Sequence, residues 1–570
     1  MDLRKIIELL PRSFWRSGIG VTISVLVRAI FNFAGLAILI PIFILLFDAG
    51  GISEDSIMGR FRSWTGITDD NTFIAVVCLI IFSFIISKNG GNKLLATFQI
   101  KYVTSLYRYY SGKLYENYYH RGLLYIKSTN TTALTYKING VCYGFSQNVL
   151  SLLFTMLGDA MLLLLIWTGI AVYSLKIALL TLFCFVPLIW LYFYGVRREL
   201  EKNGRAENEE RRKQARLVSE TFKGYVEMEI NHAFPLLKKQ FEEGLSSISY
   251  YRERTDRMLR IPSEIVEISV VIVMILLVWL SKGNDEIKVV FGIFAVSIMR
   301  MLPAVRTLMT GGAQLKNNTY SIDIIKEAIE FENERMKHEK MKHEKNSSPV
   351  IFNHKIEVDN ITFSFPDSTG KPVIDNFSMA VFKGERVGIC GASGIGKSTL
   401  FNLLLGFYTP QSGNIYIDGK PLHETNRAMW HATIGYVPQD VFIVDGTLAQ
   451  NIALGESMEL IDRNRIVEVL EQVSLKTYAD ALPEGIDTRM GENGSLLSGG
   501  QRQRIGIARA LYRQVEILLF DEATSSLDSS TEREITNAIN ELSDGNKTLT
   551  ILIISHRESS LSFCDRIIAL

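Results

Sequence analysis

The sequence predicts an α-helical membrane domain joined to an α/β domain built around a phosphate-binding loop. Two observations predict it. Six long apolar stretches crowd residues 17–311, and a strand, a GxxxxGKS loop and a helical run follow one another at 385–407. The chain has 570 residues, of which 47% are hydrophobic and 21% charged. That charged share lies below the roughly 25% of an ordinary soluble protein, and so apolar a chain is not disordered. With 61 basic and 60 acidic residues the net charge is +1, so no nucleic-acid partner is expected. Cys78, Cys142, Cys184, Cys390 and Cys564 stand far apart without a CxxC pair, which excludes a disulfide scaffold or a zinc site on spacing.

The membrane elements follow in order. The stretches 19–47, 73–93, 147–171, 174–195, 262–281 and 287–310 are each long enough to cross a ~30 Å hydrocarbon core, which needs about 20 helical residues. The first is too long for a signal peptide, lacks a clear cleavage site and is followed by more spans. Lys101, Arg108, Lys113, Arg121, Lys127 and Lys137 face a single acid, Glu116, in segment 98–145, whereas 48–72 carries five acids and two bases. The basic segment therefore faces the cytoplasm, as does the N-terminus with Arg4, Lys5, Arg12 and Arg16. A multi-pass protein of the cytoplasmic membrane is expected, with 172–173 and 282–286 outside and 196–260 inside. Residues 3–14 read as an amphipathic helix on the inner face.

The inner segments lack Gly/Pro-rich breaks, and runs such as ELEKNGRAENEERRKQARLVSETF read as helix. Spans two to five are expected to continue past the membrane, with short turns that form a platform for something cytoplasmic. Ordinary solvated coiled-coil arms are the alternative. The domains are then 1–328 in the membrane, a linker at 329–350, and a soluble domain at 351–570. The pentad MKHEK occurs twice, at 336–340 and 341–345. A duplication in a solvated linker accounts for it better than a metal held by its two histidines.

The soluble half carries phosphate chemistry. Strand ERVGIC leads into Gly391-Ala-Ser-Gly-Ile-Gly396-Lys397-Ser398-Thr399 and then a helix. Gly391, Ser393, Gly394 and Gly396 let backbone N–H groups curl around phosphate oxygens, and Thr399 continues the cradle into the helix start. Lys397 places a charge on the β/γ-phosphates, and Ser398 offers a hydroxyl to Mg2+. ILLFDEA at 517–523 is a buried strand ending in Asp521, which would hold Mg2+, and Glu522, which would polarise the attacking water. Leu497-Ser-Gly-Gly-Gln501 opens a further helix, so Ser498, Gly499, Gly500 and Gln501 form a second phosphate site. Two such sites in one chain make sense if the second serves a partner's nucleotide.

LSGGQ between a phosphate loop and a DE strand resembles the signature of ATP-binding cassette (ABC) proteins. Six spans followed by one cassette is similar to the layout of exporter-type half-transporters, so the resemblance covers the whole chain. It implies ATP and Mg2+ as cofactors, a cassette with an α/β P-loop NTPase core and a helical subdomain, and a working dimer. A homodimer is the simplest form, and a heterodimer with a degenerate partner stays open. It further implies that Gln439 senses Mg2+ and contacts the membrane part, and that Gly491–Gly494 touches the coupling helices. Ser525–Asp528 would cross to the partner cassette, His556 would contact the γ-phosphate, and Phe365 would stack on adenine where Tyr is usual. The family usually continues past the position of Leu570 with a Gly-containing hairpin and a closing helix, so either the chain is shortened here or the cassette's last sheet edge is bare.

For cargo, ionisable residues inside spans are costly and face a cavity or one another. They are Arg28, Asp159, Glu264, Glu267, Arg300 and Arg306. Arg306 is expected to pair with Glu264 or Glu267, while Arg300, about 20 Å from the outer end at 1.5 Å per residue, has no partner at its level. Arg300-Met-Leu-Pro303 resembles the Arg-x-x-Pro pattern of bacterial flippases for lipid-linked oligosaccharides, whose cavity arginines receive a pyrophosphate. That resemblance implies Arg300, Arg306 and Arg28 as substrate residues and a lipid-linked, phosphate-bearing glycan as substrate. A general exporter of lipids, drugs or polysaccharide intermediates, and a membrane ATPase that gates a partner, are the alternatives.

Overall fold

A computed structural model describes residues 3–38, 57–67, 69–280, 286–343, 351–366, 370–523, 529–555 and 561–570. Residues 48–56 and 68 of the expected outer loop, the segment Ser525–Asp528 and His556 lie outside the described residues. The chain divides into two compact units, Met1–Arg335 and Met336–Leu570.

The first unit is helical. Its long helices are α1 (Trp15–Ala37), α2 (Asp70–His120), α3 (Leu152–Tyr173), α4 (Leu175–Lys223), α5 (Phe234–Leu280), α6 (Glu286–Asn317) and α7 (Thr319–His343). Helix α2 has 51 residues, which at 1.5 Å each is about 75 Å, far more than a ~30 Å hydrocarbon layer. The same holds for α4 with 49 residues and α5 with 47. These helices therefore do continue past any membrane. Among the described residues, Arg12–Ala37, Asn71–His120 and Thr131–Val172 are long and apolar enough to span one. The stretches expected at 174–195, 262–281 and 287–310 fall on α4, α5 and α6, each carrying an internal proline, Pro187, Pro262 or Pro303.

Short helices Gly122–Ser128 and Tyr225–Ile230 form the turns at the ends of these extensions. The second presents Tyr225, Val226 and Ile230 to the surface. Before α3 the chain is π-helical over Lys137–Val141 and Phe145–Ser151. The amphipathic N-terminal helix Leu3–Leu9 buries Ile6 and Leu9, and Tyr110 on α2 donates its hydroxyl to the Leu9 carbonyl at 3.0 Å. The charged residues 329–343, expected as linker, continue α7 as helix.

Two sheets build the second unit. One is antiparallel, in the order β2 (Ile374–Phe382), β1 (Lys355–Phe363), β4 (Ser412–Ile417), β5 (Lys420–Pro421). The other is parallel, in the order β6 (Ile434–Val437), β7 (Ile517–Asp521), β8 (Thr550–Ile554), β3 (Arg386–Cys390), β9 (Arg566–Ala569). Strands β7 and β8 are buried at every position, which explains their unbroken apolar runs. Ligands of such sheets bind beyond the C-terminal strand ends, where Cys390 of β3 and Asp521 of β7 stand.

Gly204 marks where α4 and α6 touch, since a Cβ there would stand 2.2 Å from the Asn317 carbonyl oxygen. The two backbones can approach this closely only without a side chain. Gly204→Val should therefore cost about 1–3 kcal/mol through overpacking and lower the unfolding midpoint of the detergent-purified chain by several degrees. An unchanged midpoint would show that the helices separate freely.

Candidate nucleotide site and intramembrane charges

The phosphate loop leaves β3 and enters α8 (Lys397–Leu404). Gly396 has φ +113°, and a Cβ on it would stand 2.9 Å from the Val373 side chain, so only glycine serves here. Ser393 and Gly394 are exposed along the loop, and Thr399 is half-buried in the first turn of α8. Lys397 is buried, and its Nζ donates to the carbonyls of Gly391 and Ala392 at 2.9 and 3.0 Å. The ammonium is thereby held within the loop.

Two acids come to this loop from β7. Asp521 is buried, and the Ser398 hydroxyl donates to its Oδ1 at 3.0 Å. The Tyr436 hydroxyl, from β6, donates to Oδ2 at 3.3 Å. Burial, and then the Asp521 charge, push the Tyr436 phenol well above its ordinary range, so it stays a donor. The sequence reading missed Tyr436, although its place two residues before the Pro438-Gln439 pair at the end of a strand was a usable signal. Glu522 has φ +51°, in the left-handed region that disfavours non-glycine residues, and its N–H donates to the Ile554 carbonyl at 3.0 Å. That turn aims Glu522 away from the path of β7, and Gln439 Nε2 donates to its Oε2 at 3.2 Å. Five residues distant in sequence thus meet: Ser398, Asp521 and Tyr436 on one side, Gln439 and Glu522 on the other. The Ser398 and Asp521 oxygens are hard donors of the kind Mg2+ takes. Among the described residues no cluster of three or more His, Cys, Asp or Glu marks another metal.

Phe365 is half-buried, edge-on to Phe363 at 5.2 Å and to Tyr408 at 5.9 Å. The signature opens α9 (Gly499–Tyr512) with a capping box: Gln501 N–H donates to Ser498 Oγ at 3.2 Å, and Ser498 N–H donates to Gln501 Oε1 at 2.8 Å. Ser498 is exposed and Gly499, Gly500 and Gln501 are half-buried, so the motif's start can meet something outside its own helix. Gly491, Asn493 and Gly494 just upstream all take positive φ.

In the helical unit the charged residues sort differently from the expectation. Arg28 donates from Nη1 to Gln99 Oε1 at 2.9 Å, and Asp159 lies within hydrogen-bond reach of Thr307 and within electrostatic reach of Arg28. Arg306, Glu264 and Glu267 are all exposed, and among the described residues no ion pair joins Arg306 to either glutamate. The expected pairing fails because α6 and α5 turn these side chains to the surface of the chain. Arg300 is also exposed, and it lies within electrostatic reach of Lys88 on α2. Lys88 packs its stem against α1 at Gly35, where a Cβ would stand 2.9 Å from Lys88 Cδ. The sequence reading passed over Lys88. Counting 15 residues from the outer end of its expected span puts it, like Arg300, about 20 Å deep.

The ABC transporter family matches residues 374–525. The chain is similar to an ATP-dependent lipid A-core flippase of Burkholderia pseudomallei, 29% identical over 468 residues, covering 80% of this chain and 75% of that protein. A protein of the same name from Saccharophagus degradans is 32% identical over 337 residues, covering 58% of this chain and 54% of the other. In fold, the chain resembles the ATP-bound structure of a bacterial Atm1-family ABC exporter, with TM-score 0.80 and 20% identity over 98% of this chain and 93% of that one.

The position of Glu522 generates a direct test. Glu522→Gln keeps the shape and cannot accept a proton. It should retain ATP binding, measured with a fluorescent analogue, and lose about 10²–10⁴-fold in turnover. Hydrolysis within threefold of the wild type would remove Glu522 from the chemistry.

Proposed function

This chain is an exporter-type ABC half-transporter that hydrolyses ATP to drive transport, and we propose that its cargo is a lipid whose glycosylated head carries phosphate or pyrophosphate. The cargo moves from the inner to the outer leaflet of the cytoplasmic membrane, with the N-terminus and cassette on the cytoplasmic side. The observation that carries this reading is the juxtaposition of Lys88 and Arg300. Two cations within electrostatic reach of each other, at one depth in the expected spans, have no acidic partner among the described residues. Like charges in a low-dielectric layer repel, and an anion between them reverses the sign of that interaction. A phosphate suits both, accepting a forked pair of hydrogen bonds from the Arg300 guanidinium and a point charge from Lys88. The relatives named as lipid A-core flippases support a lipid cargo.

On the cytoplasmic side, Lys397 and the loop N–H groups hold the β- and γ-phosphates, and Phe365 packs against the base. Ser398, Asp521 and Gln439 would hold Mg2+, which supplies charge neutralisation on the transferred phosphoryl group. Glu522, fixed by its left-handed backbone and by Gln439, orients and deprotonates the attacking water. His556 is assigned to the γ-phosphate by its motif. The exposed start of α9, with Ser498, Gly499, Gly500 and Gln501, meets the phosphates of a second copy, so the working unit is a homodimer with two composite sites.

Two tests address this reading. Lys397→Ala and Ser498→Arg chains should each be inactive alone, and mixing them should restore part of the ATPase rate, because one site of the heterodimer is then intact. Mixtures that stay as inactive as their parents, in samples where cross-linking shows heterodimers, would contradict the composite site. For cargo, Arg300→Ala and Lys88→Met should each slow flipping of a pyrophosphate-linked lipid in proteoliposomes at least ~10-fold, the loss of one charge-assisted contact. Arg300→Lys should fall between, and an unchanged rate in Arg300→Ala would end the anionic-cargo reading.

A further inference from the structure

Below the level of these cations the helical unit holds a cleft of about 330 Å³, at the small end of the ~300–1,000 Å³ of small-molecule sites. Its walls come from the π-helical lead into α3 and from α4, α5, α6 and α7. On α4 it spans 204–211, on α5 252–259 and on α6 and α7 314–320. All lie on the cytoplasmic side of the expected spans.

The wall chemistry is specific. Glu207 and Asp256 stand against Arg211 and Arg252, so the charges cancel, and Arg211 is committed to Glu207 at 2.7 and 2.9 Å. Such a wall does not select an ion. Apart from Gly204 and Leu259, the rest is amide and hydroxyl. Tyr136 donates to Asn208 Oδ1 at 2.8 Å and lies in hydrogen-bond contact with Tyr320. Asn148 is exposed within the cleft wall because Phe145–Ser151 is π-helical, and such turns are frequent at functional sites. Two polar groups of the wall are unsatisfied: Thr255, 5% exposed, has no hydrogen-bond partner for Oγ1, and Asn317 has none for Oδ1. Both atoms are closed off from solvent, and buried polar atoms without partners are costly.

We propose that this cleft binds the sugar part of the cargo head before flipping. Amides, hydroxyls and two tyrosine rings around a charge-neutral floor fit a neutral saccharide, which donates and accepts at every hydroxyl. The placement fits as well. Gln314 lies fourteen residues beyond Arg300 on α6, about 21 Å further toward the cytoplasm. A lipid whose phosphate reaches the cations from the inner leaflet leaves its sugars at that level. The inference rests on the lipid-linked glycan reading for its biological meaning, but its binding test does not.

The test uses the full chain in nanodiscs, with chitobiose as the neutral saccharide, inorganic pyrophosphate as the anion and triglycine as a zwitterion of similar size. Saturation-transfer NMR should show saturable chitobiose binding to the wild type. Asn148→Leu with Thr255→Val should weaken it at least ~10-fold and leave pyrophosphate binding unchanged, and Lys88→Met should do the reverse. Tyr320→Phe, which deletes one hydroxyl and keeps the ring, should give a several-fold weakening in a chain with wild-type thermal stability. No chitobiose binding to the wild type, equal binding to the variants, or preference for triglycine would overturn the proposal. If chitobiose binds but pyrophosphate-linked lipid is not transported, the cargo reading falls and the cleft stands; the opposite pattern removes the cleft alone.

Discussion

A cation inside a hydrocarbon layer needs a counter-charge or water, and the arrangement of the helical unit follows from that requirement. Arg28 donates to Gln99 from Nη1 and has Asp159 nearby, although its Nε has no hydrogen-bond partner. Among the described residues Lys88 and Arg300 have no acidic partner, and they lie within electrostatic reach of each other. Holding two like charges together on different helices costs free energy that packing elsewhere must offset. The contact of the Lys88 stem with Gly35, which ties α2 to α1, is part of that offset. In the proposed reading an anionic head group would turn this repulsion into a binding site, and the cleft further along α6 would take the rest of the head.

The cassette solves a related problem with different means. Its buried carboxylate, Asp521, is held by two hydroxyls, Ser398 and Tyr436, which leaves its charge available to a cation. Glu522, one residue on, takes a strained backbone conformation that separates the two carboxylates although they are adjacent in sequence. In the proposed mechanism Asp521 would hold the metal and Glu522 would act on the water, a division of labour that suits phosphoryl transfer.

Much of this was legible in the sequence because it depends on local pattern. Gly396, Lys397 and Ser398 sit in a loop whose backbone geometry only such residues allow, and β7 is an unbroken apolar run with acids at its end. The long helices were legible from runs without glycine or proline breaks. What was not legible depends on rotation about helix axes over distance. Arg306 and Glu264 lie at similar depths, but the faces they occupy are set by packing, and both turn outward. Lys88 stands close enough to the inner end of an apolar stretch to pass for a flanking charge, and only its neighbour on α6 gives it significance. The π-helical turns at Lys137–Val141 and Phe145–Ser151 shift side-chain register without any proline or glycine rule to announce them. Tyr436 belongs to a strand pattern, and its place just before Pro438-Gln439 is the local sign that it ends near the site.

The central claim is that the intramembrane cations recognise an anionic lipid head. Its most direct test is the ATPase rate of the wild-type protein in nanodiscs, titrated with a polyprenyl pyrophosphate-linked saccharide and, separately, with the same polyprenyl chain ending in an alcohol. The account predicts saturable stimulation by the pyrophosphate-linked lipid, weakened by competing inorganic pyrophosphate, and none by the alcohol. Equal stimulation by both lipids would show that the chain reads the tail and not the charge.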